Sequence, residues 1–95
     1  ETVDYAVSGR WYLRRSDAVL LSGVTAAVAQ AVEDWRLWQR SQPGRDINPT
    51  RLIAAVQAAG AKRVELDAPD FRVLEPTQVA RETSISLQFG GLEDE

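Results

Sequence analysis

SDAVLLSGVTAAVAQAVEDWRLWQRS, running from Ser16 to Ser41, decides the fold. Leu21, Val24, Val28, Ala31, Trp35 and Trp38 recur at alternating spacings of three and four residues, which puts them on one stripe of a helix surface. The spacing predicts a single long amphipathic helix with that stripe buried. Ser16 offers an N-cap oxygen, Asp17 lies in the first turn where the helix dipole favours an anion, and Arg36 and Arg40 lie near the end that favours cations. At 1.5 Å per residue such a helix is roughly 35 to 40 Å long, so the other elements must pack along it. The stripe passes from small residues (Gly23, Ala26, Ala27, Ala29) to two indoles, Trp35 and Trp38. Two readings stand for the indoles: both fill the core, or one anchors a protein interface, where Trp is enriched.

Outward from this helix, the chain before it alternates. Val3, Tyr5, Val7, Gly9, Trp11 and Leu13 share one side of Thr2 to Leu13, which predicts a long strand with one buried face. Gly9 on that side marks a bulge or a close approach of the helix. After it, Gln42-Pro43-Gly44 stops the helix. Asn48 as N-cap, Pro49 at the first helical position and Gly60 at the C-cap punctuate a second, short helix over residues 49 to 59. Leu52, Ile53, Val56 and Ala59 give it a core face. Lys62 to Asp67 and Val79 to Phe89 read as strands, the second ended by Gly90-Gly91, and Phe71 to Leu74 is a candidate fourth. Glu93-Asp94-Glu95 reads as a frayed tail. The order β-α-α-β-(β)-β predicts an α+β domain, with both helices on one face of a three- to four-stranded, mostly antiparallel sheet. The other face is then solvated or covered by a partner.

Composition narrows the function. Ninety-five residues suit one domain with a modest core. There is no Cys and no His, so thiolate chemistry, cysteine metal sites and the commonest general base are missing. No cofactor or metal is expected. The absence of Met, even at position 1, reads as a processed chain or a piece of a longer protein. Polar residues interrupt the apolar run from Ala18 to Val32, which predicts neither a membrane span nor a signal peptide. A net charge of -3 argues against nucleic-acid binding, which needs clustered cations. Arg10, Arg14 and Arg15 form a local basic spot at the strand end.

Three stretches carry a resemblance: GRDINPTRL at Gly44 to Leu52, AAGAKRVEL followed by P-x-F at Ala58 to Phe71, and GGLEDE at Gly90 to Glu95. Together with the helix ending in WRLWQR, they resemble the carboxy-terminal region of the baseplate J-like proteins of contractile-tailed phages and related prophages. The resemblance implies the last domain of a longer baseplate protein. It implies a structural part of the tail wedge, found in the virion and built in the host cytoplasm, whose partners are other wedge proteins and copies of itself. It also implies no catalytic site, no small-molecule substrate and no membrane or nucleic-acid partner.

Beside the resemblance, the residues themselves leave alternatives. Asp46 caps the interhelical turn or accepts from Arg45 or a nearby backbone N–H; otherwise Arg45 points outward to a carboxylate on a neighbouring subunit. Lys62-Arg63 reads as an edge guard. An interface reading names Tyr12, Arg45, Arg14 and Trp38 as candidate anchors, with Asp46, Asn48, Pro49 and Gly60 as cap and motif positions. A second reading is a small ligand- or peptide-binding regulatory domain, which needs a pocket with convergent polar groups. An enzyme would have to draw on Glu33, Asp34, Asp46, Glu65 or Asp67, and no spacing sets two of these across a cleft.

Overall fold

The computed structural model describes residues 1–94. Strand β1 (Thr2–Arg14) leads through a short 3-10 helix (Arg15–Leu20) into α1 (Leu21–Arg40), followed by α2 (Pro49–Ala58), β2 (Arg63–Ala68) and β3 (Val79–Glu93). The two helices pack on one face of a three-stranded sheet, the α+β architecture expected from sequence.

β1 is the central strand, in the order β2-β1-β3. Its predicted alternation is realised along its whole length: Val3, Tyr5, Val7, Gly9, Trp11 and Leu13 are buried, and the residues of the other parity are not. Burying each such side chain contributes about 1.5 to 3 kcal/mol, so this one strand anchors the core. Gly9 marks both a register shift and a close approach, although the approaching element is β2 and not the helix. A Cβ at Gly9 would lie 2.3 Å from the Glu65 carbonyl oxygen.

The sheet is mixed, where a mostly antiparallel one was expected. β2 pairs antiparallel with β1, but residues 69–78 carry the chain across to the far side of β1, so β3 runs parallel to it along nearly its full length. Local alternation carries no information on strand direction. The candidate strand at Phe71 to Leu74 contributes only an isolated bridge between Ile47 and Arg72. Of its apolar residues Leu74 alone is buried, while Phe71 and Val73 are exposed.

β3 also differs from its expected form. It runs through Gly90-Gly91 to Glu93 and contains two register shifts against β1. Thr83 is the extra residue at the first, its hydroxyl donating to the Tyr5 carbonyl at 3.0 Å, and Gly90 is the extra residue at the second. Each bulge moves the inward side from one parity to the other. The inner face therefore reads Ala80 and Glu82, then Ile85, Leu87 and Phe89, then Leu92. The tail is likewise held down, with Glu93 in the strand and the Asp94 carbonyl accepting from Lys62 Nζ at 2.8 Å; Glu95 lies outside the described residues.

The predicted helix from Ser16 divides in two. Ser16 provides no cap: the 3-10 segment follows Arg14 without a side-chain cap, and α1 begins only at Leu21. Uncapped N–H groups at a helix entry are accommodated by tighter i to i+3 turns, and Asp17 pairs instead with Arg14. In α1 the fully buried positions are Val28, Val32, Trp35 and Gln39, while Leu21, Val24 and Trp38 pack at the margin. α2 follows its punctuation. Asn48 Oδ1 accepts from the Arg51 N–H at 3.3 Å, Pro49 is the first helical residue, and Leu52 and Val56 are buried. Ala59 is the C-cap and Gly60 follows with φ +127°.

Candidate interaction surface

The turn from Ser41 to Asn48 is built around the exposed carbonyls at the end of α1. Arg45 folds back onto them: Nη1 donates to the Trp38 carbonyl at 2.6 Å and to Ser41 Oγ at 3.0 Å, and Nη2 donates to Gln42 Oε1 at 3.1 Å. A cation is favoured at that end of the helix dipole. The same guanidinium stacks 4.3 Å from the Trp38 ring, and Arg51 covers the ring at 4.2 Å. Arg45 thus folds back onto the end of α1 instead of pointing outward. Asp46 accepts from the Leu74 N–H at 3.0 Å, tying the turn to the segment that crosses under the sheet.

Gln39, absent from the sequence-derived candidates, is completely buried and holds this turn together. Its Nε2 donates to the Asp46 and Arg45 carbonyls at 2.8 and 3.3 Å, and its Oε1 accepts from the Asn48 N–H at 3.1 Å. The signal was its place four residues beyond Trp35, on the stripe that Val28 and Val32 continue.

On the outer face of the sheet, Tyr12 is half-buried in a polar cluster. Its hydroxyl donates to Glu65 Oε1 at 2.8 Å, Arg63 lies 4.0 Å over its ring, and Gly90 leaves room for the ring's other edge. Arg63 reaches past Tyr12 to Glu93, at 2.6 and 2.9 Å, and Lys62 joins at 3.1 Å. These two cations bind strands together across the face and hold the Glu93 carboxyl down at about 2. Arg10 pairs with Glu65 and Asp67, and Arg81 with Asp4. Arg14, at the end of the strand, is partly exposed and lies 3.9 Å from Asp17. This face is charged, internally paired and suited to water. The four candidate anchors do not converge, since Trp38 and Arg45 lie at the interhelical turn and Tyr12 and Arg14 on the sheet.

The inner face is closed unevenly. α2 packs against β2 and α1 against β3, and the packing of α1 on β3 is incomplete. There a groove of about 400 Å³ runs between α1 and β3, lined by Val28, Ala29 and Val32 from the helix and by Ile85, Leu87 and Phe89 from the strand, with Trp11 beneath. Ile85 and Phe89 are each 38% exposed. Trp11 and Phe89 meet with ring centroids 4.9 Å apart, which fixes the floor. At one end Arg36 bonds both Glu33 and Glu82, so the acidic rim of the groove is neutralised from within. β3 is an outer strand, so the groove opens directly onto a free sheet edge.

Among the described residues no cluster of three or more acidic groups could hold a metal ion, and no helix is long and apolar enough to cross a membrane. None of the curated proteins compared with the chain matches it. A family model does: that of the baseplate J-like protein C-terminal domain matches residues 6–88, from the middle of β1 to Gln88 in β3.

Proposed function

Because the chain belongs to the family of the baseplate J-like protein C-terminal domain, we propose that it is a wedge component of a phage or prophage tail baseplate, working through protein–protein contacts. Membership itself gives the coarser statement, a structural role in a phage tail baseplate and hence a place in the virion tail. The finer reading concerns how the domain holds its neighbours, other wedge proteins, during assembly in the host cytoplasm.

The observation that carries the reading is the open groove between α1 and β3. Ile85, Leu87 and Phe89 form an apolar strip along this groove, and partly exposed aromatic and aliphatic side chains are what an interface core uses. The groove is open along one side and mostly apolar in its lining, with few polar groups to fix a small ligand, which suits a macromolecular partner better. Trp38, flanked by two guanidinium groups at the opposite side of α1, offers a second and more polar point of contact.

The test is immunogold electron microscopy on tail-like particles induced from the source strain, with an antibody raised against this chain. Label at the baseplate end is expected. Absence of label from intact, permeable particles, with the protein present in the lysate, would contradict the reading.

A further inference from the structure

We propose that the free edge of β3 receives an extended, uncharged segment of a neighbouring protein as a fourth strand, whose alternate apolar side chains fill the α1–β3 groove. This deepens the baseplate reading and rests on it. The occupant is a strand, and its chemistry follows from the edge it meets.

The two edges of the sheet are unlike. β2 is short, carries Arg63, Glu65 and Asp67, and runs directly into Pro69, all of which discourage further pairing. β3 is more than twice as long, and from Thr83 to Leu92 it holds no charged residue and no Pro. An outer strand of this kind presents a row of unpaired N–H and C=O groups with nothing to repel a partner. A helix laid in the groove would leave those groups unpaired, whereas an added strand pairs them.

Side-chain spacing agrees. Ile85, Leu87 and Phe89 point inward at every second residue, the repeat of an adjoining strand. Facing them on α1 are Thr25 and Ala29, small residues one turn apart that leave space for incoming side chains. The outward partners Ser84, Ser86 and Gln88 are polar and neutral. The matching segment therefore alternates aliphatic or aromatic residues inward with neutral polar residues outward, since an unpaired charge placed against this stretch would be desolvated without compensation.

The experiment is amide hydrogen exchange at residue resolution on the chain alone and on purified assembled baseplates. On assembly, alternate amides between Ser84 and Leu92 are expected to slow by about tenfold or more while the Arg63–Ala68 edge is unchanged. Ile85→Lys, at a partly exposed position, is expected to leave the melting temperature in place and to remove this protection. Unchanged exchange in a baseplate that contains the chain would overturn the strand proposal and leave the baseplate role standing. Uniform slowing without alternation would replace the strand by another covering element. Protection already present in the free chain, together with a dimeric mass, would make the occupant a second copy and overturn the proposal. A baseplate that lacks the chain would overturn both readings.

Discussion

The indole N–H of Trp35 donates to the backbone carbonyl of Asn48 at 3.1 Å, so the middle of the core and the cap of α2 share one hydrogen bond. Trp35 is 3% exposed and meets Tyr5 edge-on at 5.7 Å. Trp35→Phe keeps most of the apolar volume but loses this bond, the N-cap carbonyl keeping its place in the first turn of α2, and is expected to cost about 0.5 to 1.5 kcal/mol. Trp35→Ala adds a cavity and should cost about 3 to 5 kcal/mol. Urea denaturation of both variants checks the order. A neutral Trp35→Phe would mean that the hydrogen bond contributes nothing.

Arg45→Ala is expected to destabilise the domain by about 1 to 2 kcal/mol, because it removes a charge-assisted bond to the Trp38 carbonyl and one face of the stack on Trp38. The loss is bounded, since Ser41 donates to the same carbonyl from both its N–H and its hydroxyl. Arg45→Lys should recover only part of it, as an ammonium lacks the planar fork that donates from two nitrogens while stacked on the ring. A thermal melt of each variant decides; an unchanged midpoint for Arg45→Ala would free the residue for an external role.

Gly9→Ala tests the close approach of β1 and β2. The added Cβ would meet backbone atoms of Glu65 and Leu66, at 2.3 and 3.0 Å, which cannot rotate away. A loss of about 1 to 3 kcal/mol or more is expected, as for other forced overpacking. A neutral result in chemical denaturation would require the β2 register to slip, visible as changed exchange at Leu66.

Acid should loosen the outer face through Glu93. Arg63 and Lys62 depress its carboxyl from the ordinary 4.5 to about 2, so it binds a proton more readily in the unfolded chain than in the folded one. Its contribution is complete above about pH 5 and fades as the pH falls through the interval from 4.5 to about 2. Glu93→Gln should therefore lower stability at neutral pH and flatten the loss between pH 5 and 2, measured by denaturant midpoints across that range. Parallel pH profiles for the two proteins would contradict the pairing.

Much of this architecture is legible in the order of residues, where the information is local. β1 follows its alternation, and α2 follows Asn48, Pro49 and Gly60 because caps act within one turn. What escapes depends on distant partners. The inward parity of β3 changes at Thr83 and Gly90, and only pairing with β1 reveals which residue is extra. Gly90-Gly91 reads as a terminator, yet Gly90 lies where the Tyr12 ring needs room. Gln39 stands on the apolar stripe, but its burial depends on the Asp46 and Asn48 backbone groups that it bonds, which the order of residues does not bring to it. The groove is illegible for the same reason, since the exposure of Ile85 and Phe89 depends on how α1 packs against β3.

The absence of Cys from this chain makes the most direct test simple, because a single introduced thiol reports on one place. Ile85→Cys in the groove and Gln88→Cys on the outer face can be compared for maleimide reactivity in the free chain and in assembled baseplates. The thiol at position 85 is expected to react readily when free and about tenfold or more slowly once assembled, while the thiol at position 88 keeps the greater part of its reactivity. Equal reactivity of the Ile85→Cys thiol in the two states would contradict assembly through the α1–β3 groove.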